Sequence, residues 1–146
     1  MSCYVYLIES DAPAPPGAPI DLNSSARMFK IGVSANVKSR LATLQTASPY
    51  RLQLNEAWAA PSRALAAGLE RTLHTELDRF RVCGEWFFAD PIGLSCEAEG
   101  IVCIEAVEVW CMSPREAVQY FIAAGKPEDW ALDAVGAEFG IEATLA

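Results

Sequence analysis

Four side chains in the first half of the sequence suit phosphodiester cleavage: Tyr6 in CYVYLIES, Lys30 in MFKIGV, Arg40 in NVKSRLATL and Glu70 in GLERTLHTE. Arginine offers a planar fork that grips two phosphate oxygens at once. A carboxylate can hold one Mg²⁺, whose other ligands are water and substrate oxygens. A phenol can act as the base that activates water. Free phenols ionise at about 10, so that role needs a nearby cation. Lys30 would be that cation. His74 lies one helical turn beyond Glu70, at the spacing that puts both side chains on one helix face.

Each of these residues has a simpler explanation when taken singly. Tyr6 fits a half-buried strand. Lys30 fits a solvated strand face or a charge that protects a sheet edge. Arg40 and Glu70 fit exposed helix positions, and His74 fits a structural histidine. The case for chemistry rests on the combination of a phenol, two cations and a lone carboxylate.

The elements that must position them follow from periodicity. CYVYLIE alternates and is rich in aromatic and β-branched residues, which predicts a strand with Tyr4, Tyr6 and Ile8 on one face. In MFKIGV, Phe29, Ile31 and Val33 form the apolar face, while Lys30 and Gly32 share the other. The two strands are predicted to pair antiparallel. Between them, SDAPAPPGAPIDLNSSAR is dense in proline, alanine and small polar residues and predicts a long mobile loop, about 10–27. Gly32 is expected to leave its face open to a substrate backbone. Ser34 or Asn36 caps a helix over about 36–46, with Leu41 and Leu44 as its core stripe. RLQLNEAWAA alternates as a third strand. PSRALAAGLERTLHTELDRF predicts a long helix with Leu65, Leu69, Leu73 and Leu77 facing the core at i+4 spacing. EWFFA is a short strand or extended segment. Beyond Pro91, IVCIEAVEVWCM alternates as a strand. Ser113, Pro114 and Glu116 open a helix that Gly125 stops, and a last helix spans about 127–138.

The chain has 146 residues, 52% of them apolar, enough for one real core with a small appendage. The net charge of −8 is unevenly spread. Residues 1–26 carry a balance of −3, residues 27–90 a balance of +3, and residues 91–146 a balance of −8. The middle segment suits an anionic substrate, and the last third would repel one. The five cysteines are odd in number and include no CxxC pair, which argues against a disulfide framework or a structural zinc site. They are expected to be mostly buried, reduced thiols. The N-terminus has no basic region before its apolar stretch and no apolar run reaches membrane-spanning length, so the expected location is cytoplasmic.

YVY near the N-terminus and KIG at 30–32, with Arg40 ten residues after Lys30, resemble the two motifs of the GIY-YIG nuclease superfamily. Lys30 stands where that family's second tyrosine stands. KIGVSANVKSRLATLQTASPYRLQL, then ERTLH, then GEWFFAD look like its short phage- and plasmid-associated branch, and the likeness covers about residues 3–90. The resemblance implies an α+β fold with a small three-stranded antiparallel sheet flanked by helices. It implies a metal-dependent DNA endonuclease using one Mg²⁺ or Mn²⁺. Tyr6 would be the general base or would position the water, and Arg40 would stabilise charge on the scissile phosphate. Glu70 would hold the metal, and Lys30 would assist the tyrosine or grip a phosphate. Tyr4, His74 and Glu85 would be accessory. His74 would contact a phosphate or hold Glu70, and Lys38 and Gly32 would border the substrate. The expected organisation is a nuclease core over 1–90 and an acidic C-terminal β/α extension over 91–146, packed on or beside it. The expected partner is DNA, single- or double-stranded. Two alternatives remain: a non-catalytic nucleic-acid- or protein-binding module whose acidic tail is a partner surface, and a phosphodiesterase acting on RNA or small molecules.

Overall fold

The computed structural model describes residues 3–16, 25–110 and 112–140. The chain falls into two compact units, residues 1–96 and residues 97–146. Much of the predicted mobile loop, 17–24, lies outside the described residues.

The first unit is built on an antiparallel sheet. β1 (Cys3–Ser10), β2 (Arg27–Ser34) and β3 (Leu52–Ala60) are its long strands, and β4 (Arg81–Cys83) and β5 (Trp86–Ala89) are short. Their order is β3-β1-β2-β5-β4. The class is α+β, as expected, but the sheet has five strands where three were expected. The β4–β5 hairpin docks on the edge of β2 that three strands would have left free, with Lys30 opposite Trp86 and Phe29 opposite Phe87. EWFFA, expected as a short strand or extended segment, is β5, whereas the three residues of β4 are too few to show alternation in sequence.

The apolar alternation of β1 and β2 sorts the side chains by face. Val5, Leu7, Phe29, Ile31, Trp58 and Phe87 are all at most 1% exposed. The partner on this face is α2 (Arg63–Glu76), which contributes buried Ala66, Leu69 and Leu73. Leu65 is only half-buried, and Leu77 is buried just past the helix end. On the opposite face Tyr6, Ile8 and Leu52 form a smaller cluster. Val37, Leu41 and Leu44 of α1 (Val37–Ala47) cover it, with Trp86 beside them. Asn36 caps α1 by accepting from the Ser39 amide at 3.0 Å.

α3 (Pro91–Ile104) runs into a π-helical turn over Glu105–Val109, marked by the Trp110 amide donating to the Glu105 carbonyl at 3.1 Å. The expected strand IVCIEAVEVWCM is therefore helical over its described length to residue 109, and the C-terminal β/α extension is, among the described residues, all helical. The reason is visible in burial. Leu94, Ala98, Val102 and Ala106 are buried at i+4 intervals, a helical stripe that begins well before the alternating window. α4 (Pro114–Ala123) and α5 (Glu128–Phe139) complete the second unit. Within it Trp110, Tyr120, Phe121 and Trp130 form a chain of edge-to-face rings 4.9–5.6 Å apart. Lys126 donates to Glu99 at 2.7 Å, and burial pushes the Cys103 thiol up to about 11. Of the four described cysteines, Cys3 and Cys103 are buried while Cys83 and Cys96 are exposed, and all four are free thiols. Cys111 lies outside the described residues. No helix is long and apolar enough to cross a membrane among the described residues.

Candidate active site

β5 covers only the first half of β2. Beyond the Lys30–Trp86 pair the hairpin turns away, and its last ladder bond runs from the Ile31 amide to the Glu85 carbonyl at 3.2 Å. Gly84, at φ +53°, makes that turn in the left-handed region where glycine carries no Cβ penalty. The turn brings Glu85 to Lys30, whose Nζ donates to Glu85 Oε2 at 2.6 Å. The ammonium also lies 5.6 Å from the centroid of the Trp86 ring. The lysine in the apolar strand thus pairs with Glu85. Its expected neighbour Tyr6 shares the face but lies opposite Gly32, one pleat along.

α2 brings Glu70 and His74 to the same middle part of β2. His74 Nε2 is 3.1 Å from the Ile31 carbonyl oxygen and 4.0 Å from Glu70 Oε1. Its Nδ1 is 3.2 Å from Nη1 of Arg81. A guanidinium has only donors, so Nδ1 accepts, and Nε2 carries the hydrogen that Ile31 receives. Both ring nitrogens of His74 are therefore committed in the neutral form. Arg81 does more than set this tautomer. It donates to the His74 carbonyl at 3.0 Å and to the Gly84 carbonyl, pairs with Asp78 at 2.7 Å, and stacks over Phe87. Sequence reasoning missed Arg81. The available signal was an arginine directly after the long helix and four residues before Glu85.

The Glu70 carboxyl is held above the usual carboxylate range, first by burial and second by the Glu85 charge. The His74 edge, the Lys30 ammonium and Arg71 pull it back. Among the described residues no group of three or more His, Cys, Asp or Glu side chains could hold a metal ion. The described residues thus form no all-protein cage. The residues do fit a single Mg²⁺, which keeps water and substrate phosphate as ligands and takes one or two carboxylates from the protein. The Glu85 charge raises the cost of ionising Glu70, and a cation would relieve it.

The remaining expected site residues are spread out. Tyr6 is 1% exposed, beneath α1. A β-carbon at Gly32 would fall 2.6 Å from Cζ of Tyr6 and nearer still to its hydroxyl. Gly32 therefore makes room for the tyrosine ring, and the expectation that it leaves space for a substrate backbone is corrected. Tyr4 is half-buried, in register with Ser34 and Ala59. Arg40 is exposed on α1 and lines a groove with Ser34, Asn36, Ser39, Thr43 and Arg63. Among the described residues Arg40 makes no hydrogen bond to Tyr6, Lys30 or Glu70. Lys38 is exposed on the same helix. The structure thus gathers Lys30, Glu70, His74 and Glu85, and sets Tyr6 and Arg40 apart from them.

No curated protein and no solved structure matches the chain. Residues 3–111 match the family model of the T5orf172 domain, a span that contains every residue of this cluster. The chain belongs to the phage-associated T5orf172 domain family.

Proposed function

We propose that the chain is a metal-dependent endonuclease of the GIY-YIG type that hydrolyses DNA phosphodiester bonds. The observation that supports this reading best is the Glu70–Glu85–Lys30–His74 cluster, where a partly buried, elevated carboxylate stands beside a second carboxylate and a cation. Glu70, with Glu85, would hold one Mg²⁺ or Mn²⁺, and a bound ion supplies charge stabilisation for the phosphate and the departing oxygen. Lys30 holds Glu85 in place and offers its ammonium to a phosphate oxygen. His74, neutral and donating to Ile31, fixes β2 against α2 beneath Glu70. Arg40, in the groove apart from this cluster, grips the oxygens of a backbone phosphate flanking the cut bond through its fork. The general-base or water-orienting role expected of Tyr6 requires α1 to uncover its hydroxyl, because the ring is 1% exposed beneath that helix.

The test is cutting of single- and double-stranded DNA with Mg²⁺ or Mn²⁺, with EDTA and Glu70→Ala controls and an RNA arm. The expected result is cation-dependent cleavage that Glu70→Ala reduces by at least about 100-fold. Undiminished cutting by that variant would assign the activity elsewhere. A second reading, a non-catalytic nucleic-acid-binding module, draws on the 1% exposure of Tyr6. DNA binding by the wild-type chain without cutting under any of these conditions would favour it.

A further inference from the structure

The groove that holds Arg40 is lined by the end of β2, the first turns of α1 and Arg63, the first residue of α2. Its volume is about 580 Å³, and Ser34, Asn36, Ser39, Thr43, Arg40 and Arg63 supply its polar walls. Among the described residues no carboxylate lines it, in a chain with 19 acidic residues. Helix N-termini attract acidic side chains, because their unpaired amides carry partial positive charge. The second unit follows that rule: Glu116 sits in the first turn of α4, and Glu128 and Asp129 in that of α5. The two helices at the groove break it together. Neither α1 nor α2 has an acidic residue in its first turn, and Arg63 opens α2. Among the described residues neither Arg40 nor Arg63 is in an ion pair. The bond recorded for Arg63 is a long one, Nη1 to the Cys3 sulfur at 3.8 Å.

The N-terminal turn of α1, two guanidinium forks outside any ion pair and a wall of hydroxyl and amide groups make a site for phosphate oxygens. The groove is far larger than one phosphate needs. It meets β2 at Val33 and Ser34, while Lys30 and the carboxylate pair stand at the middle of the same strand. Four residues of strand span about 13 Å. A chain of phosphates could therefore run along β2 from one place to the other.

We propose that this groove binds the phosphodiester backbone of a nucleic-acid strand away from the bond that is cut, with Arg63 as a second phosphate-gripping residue beside Arg40. The proposal rests on the nucleic-acid reading of the site, but its test does not depend on cleavage. Binding of a fluorescent single-stranded DNA oligonucleotide is measured by anisotropy in EDTA across a salt series, for the wild-type chain, Arg63→Gln and Arg63→Lys. Arg63→Gln should weaken binding several-fold and reduce the slope of log K against log salt by about 0.7, the loss of one single-strand phosphate contact. Arg63→Lys should recover most of the slope and less of the affinity, because the charge returns without the fork. Inorganic phosphate and mononucleotides should compete only at far higher concentration than the oligonucleotide. Unchanged affinity and slope in Arg63→Gln, with unchanged thermal melting, would overturn the proposal. Displacement of the oligonucleotide by equimolar free phosphate would overturn the assignment to a strand. Wild-type chain that binds in this way yet never cuts would sink the endonuclease reading alone.

Discussion

Lys30 Nζ and Glu85 Oε2 meet at 2.6 Å where the β4–β5 hairpin leaves β2. The lysine is 13% exposed and the glutamate 44%. Breaking this pair leaves a carboxylate that water can reach, so the cost to stability is small, about 1 kcal/mol or less. The chemical cost is larger. Without its ammonium partner, the Glu85 charge acts on Glu70 unopposed. Lys30→Met should melt within a few degrees of wild type yet lose DNA cutting, and Lys30→Arg should retain part of it. A fully active Lys30→Met would reduce the lysine to a surface charge.

Glu70 is held above its ordinary range by burial and by Glu85, so ionising it opposes folding. The linkage has a definite sign. A carboxyl with a raised folded-state pKa favours the fold at low pH and loses that contribution as pH rises through the raised value. Glu70→Gln should therefore raise the melting temperature at pH 7 and leave it unchanged near pH 3, below the ordinary carboxyl value, where both states are protonated. Mg²⁺ or Mn²⁺ should stabilise the wild-type chain at pH 7 and Glu70→Gln much less. Thermal melts at the two pH values, with and without the cation, measure both effects. A destabilised Glu70→Gln at pH 7 would mean that the carboxylate has a strong partner in the free protein.

The long elements were legible because each shows its period over enough residues. β1, β2, β3, α1 and α2 all fall within a few residues of where alternation, caps and the leucine stripe put them. The stretch 101–112 misled because Val102, Val107 and Val109 favour strands locally, while Val102 and Ala106 are buried in the i+4 stripe from Leu94. At the site, residue types were legible and partnerships were not. Lys30 was paired in expectation with Tyr6, across the adjacent strand. Its real partner Glu85 is 55 residues away in sequence and arrives by a hairpin whose strands are three and four residues long. Arg81 showed only its position, directly after the long helix and before Glu85, because its importance comes from the carbonyls and ring nitrogen it joins, none of which composition reveals.

Gly32 and Tyr6 are a packing pair. A β-carbon at position 32 would fall 2.6 Å from Tyr6 Cζ, so Gly32→Ala must displace the ring or the strand. Overpacking of this kind costs about 1–3 kcal/mol. Adding Tyr6→Phe should restore little of it, because the hydroxyl is removed while Cζ stays in place. Chemical denaturation of the two variants gives the comparison. Wild-type stability in Gly32→Ala would show that α1 yields easily and that the tyrosine is free to swing.

Arg81 ties His74 to the turn that carries Glu85, through Nδ1, the His74 carbonyl and the Gly84 carbonyl. Hydrogen bonds from a charged donor contribute about 1.5–3 kcal/mol together with the penalty of leaving their acceptors unpaired. Arg81→Met should destabilise by about that amount and release Nδ1 of His74. Nitrogen NMR of the single histidine separates this from a merely structural loss. The wild-type ring should show the protonated nitrogen at Nε2 alone, with slow hydrogen exchange. In Arg81→Met it should show mixed tautomers and fast exchange. Arg81→Lys should keep the charge near Asp78 without reproducing the fork, and so should restore stability in part and the tautomer poorly. A pure Nε2–H ring in Arg81→Met would mean that the Ile31 carbonyl alone sets the tautomer, and Arg81 would then be a brace for the turn and nothing more.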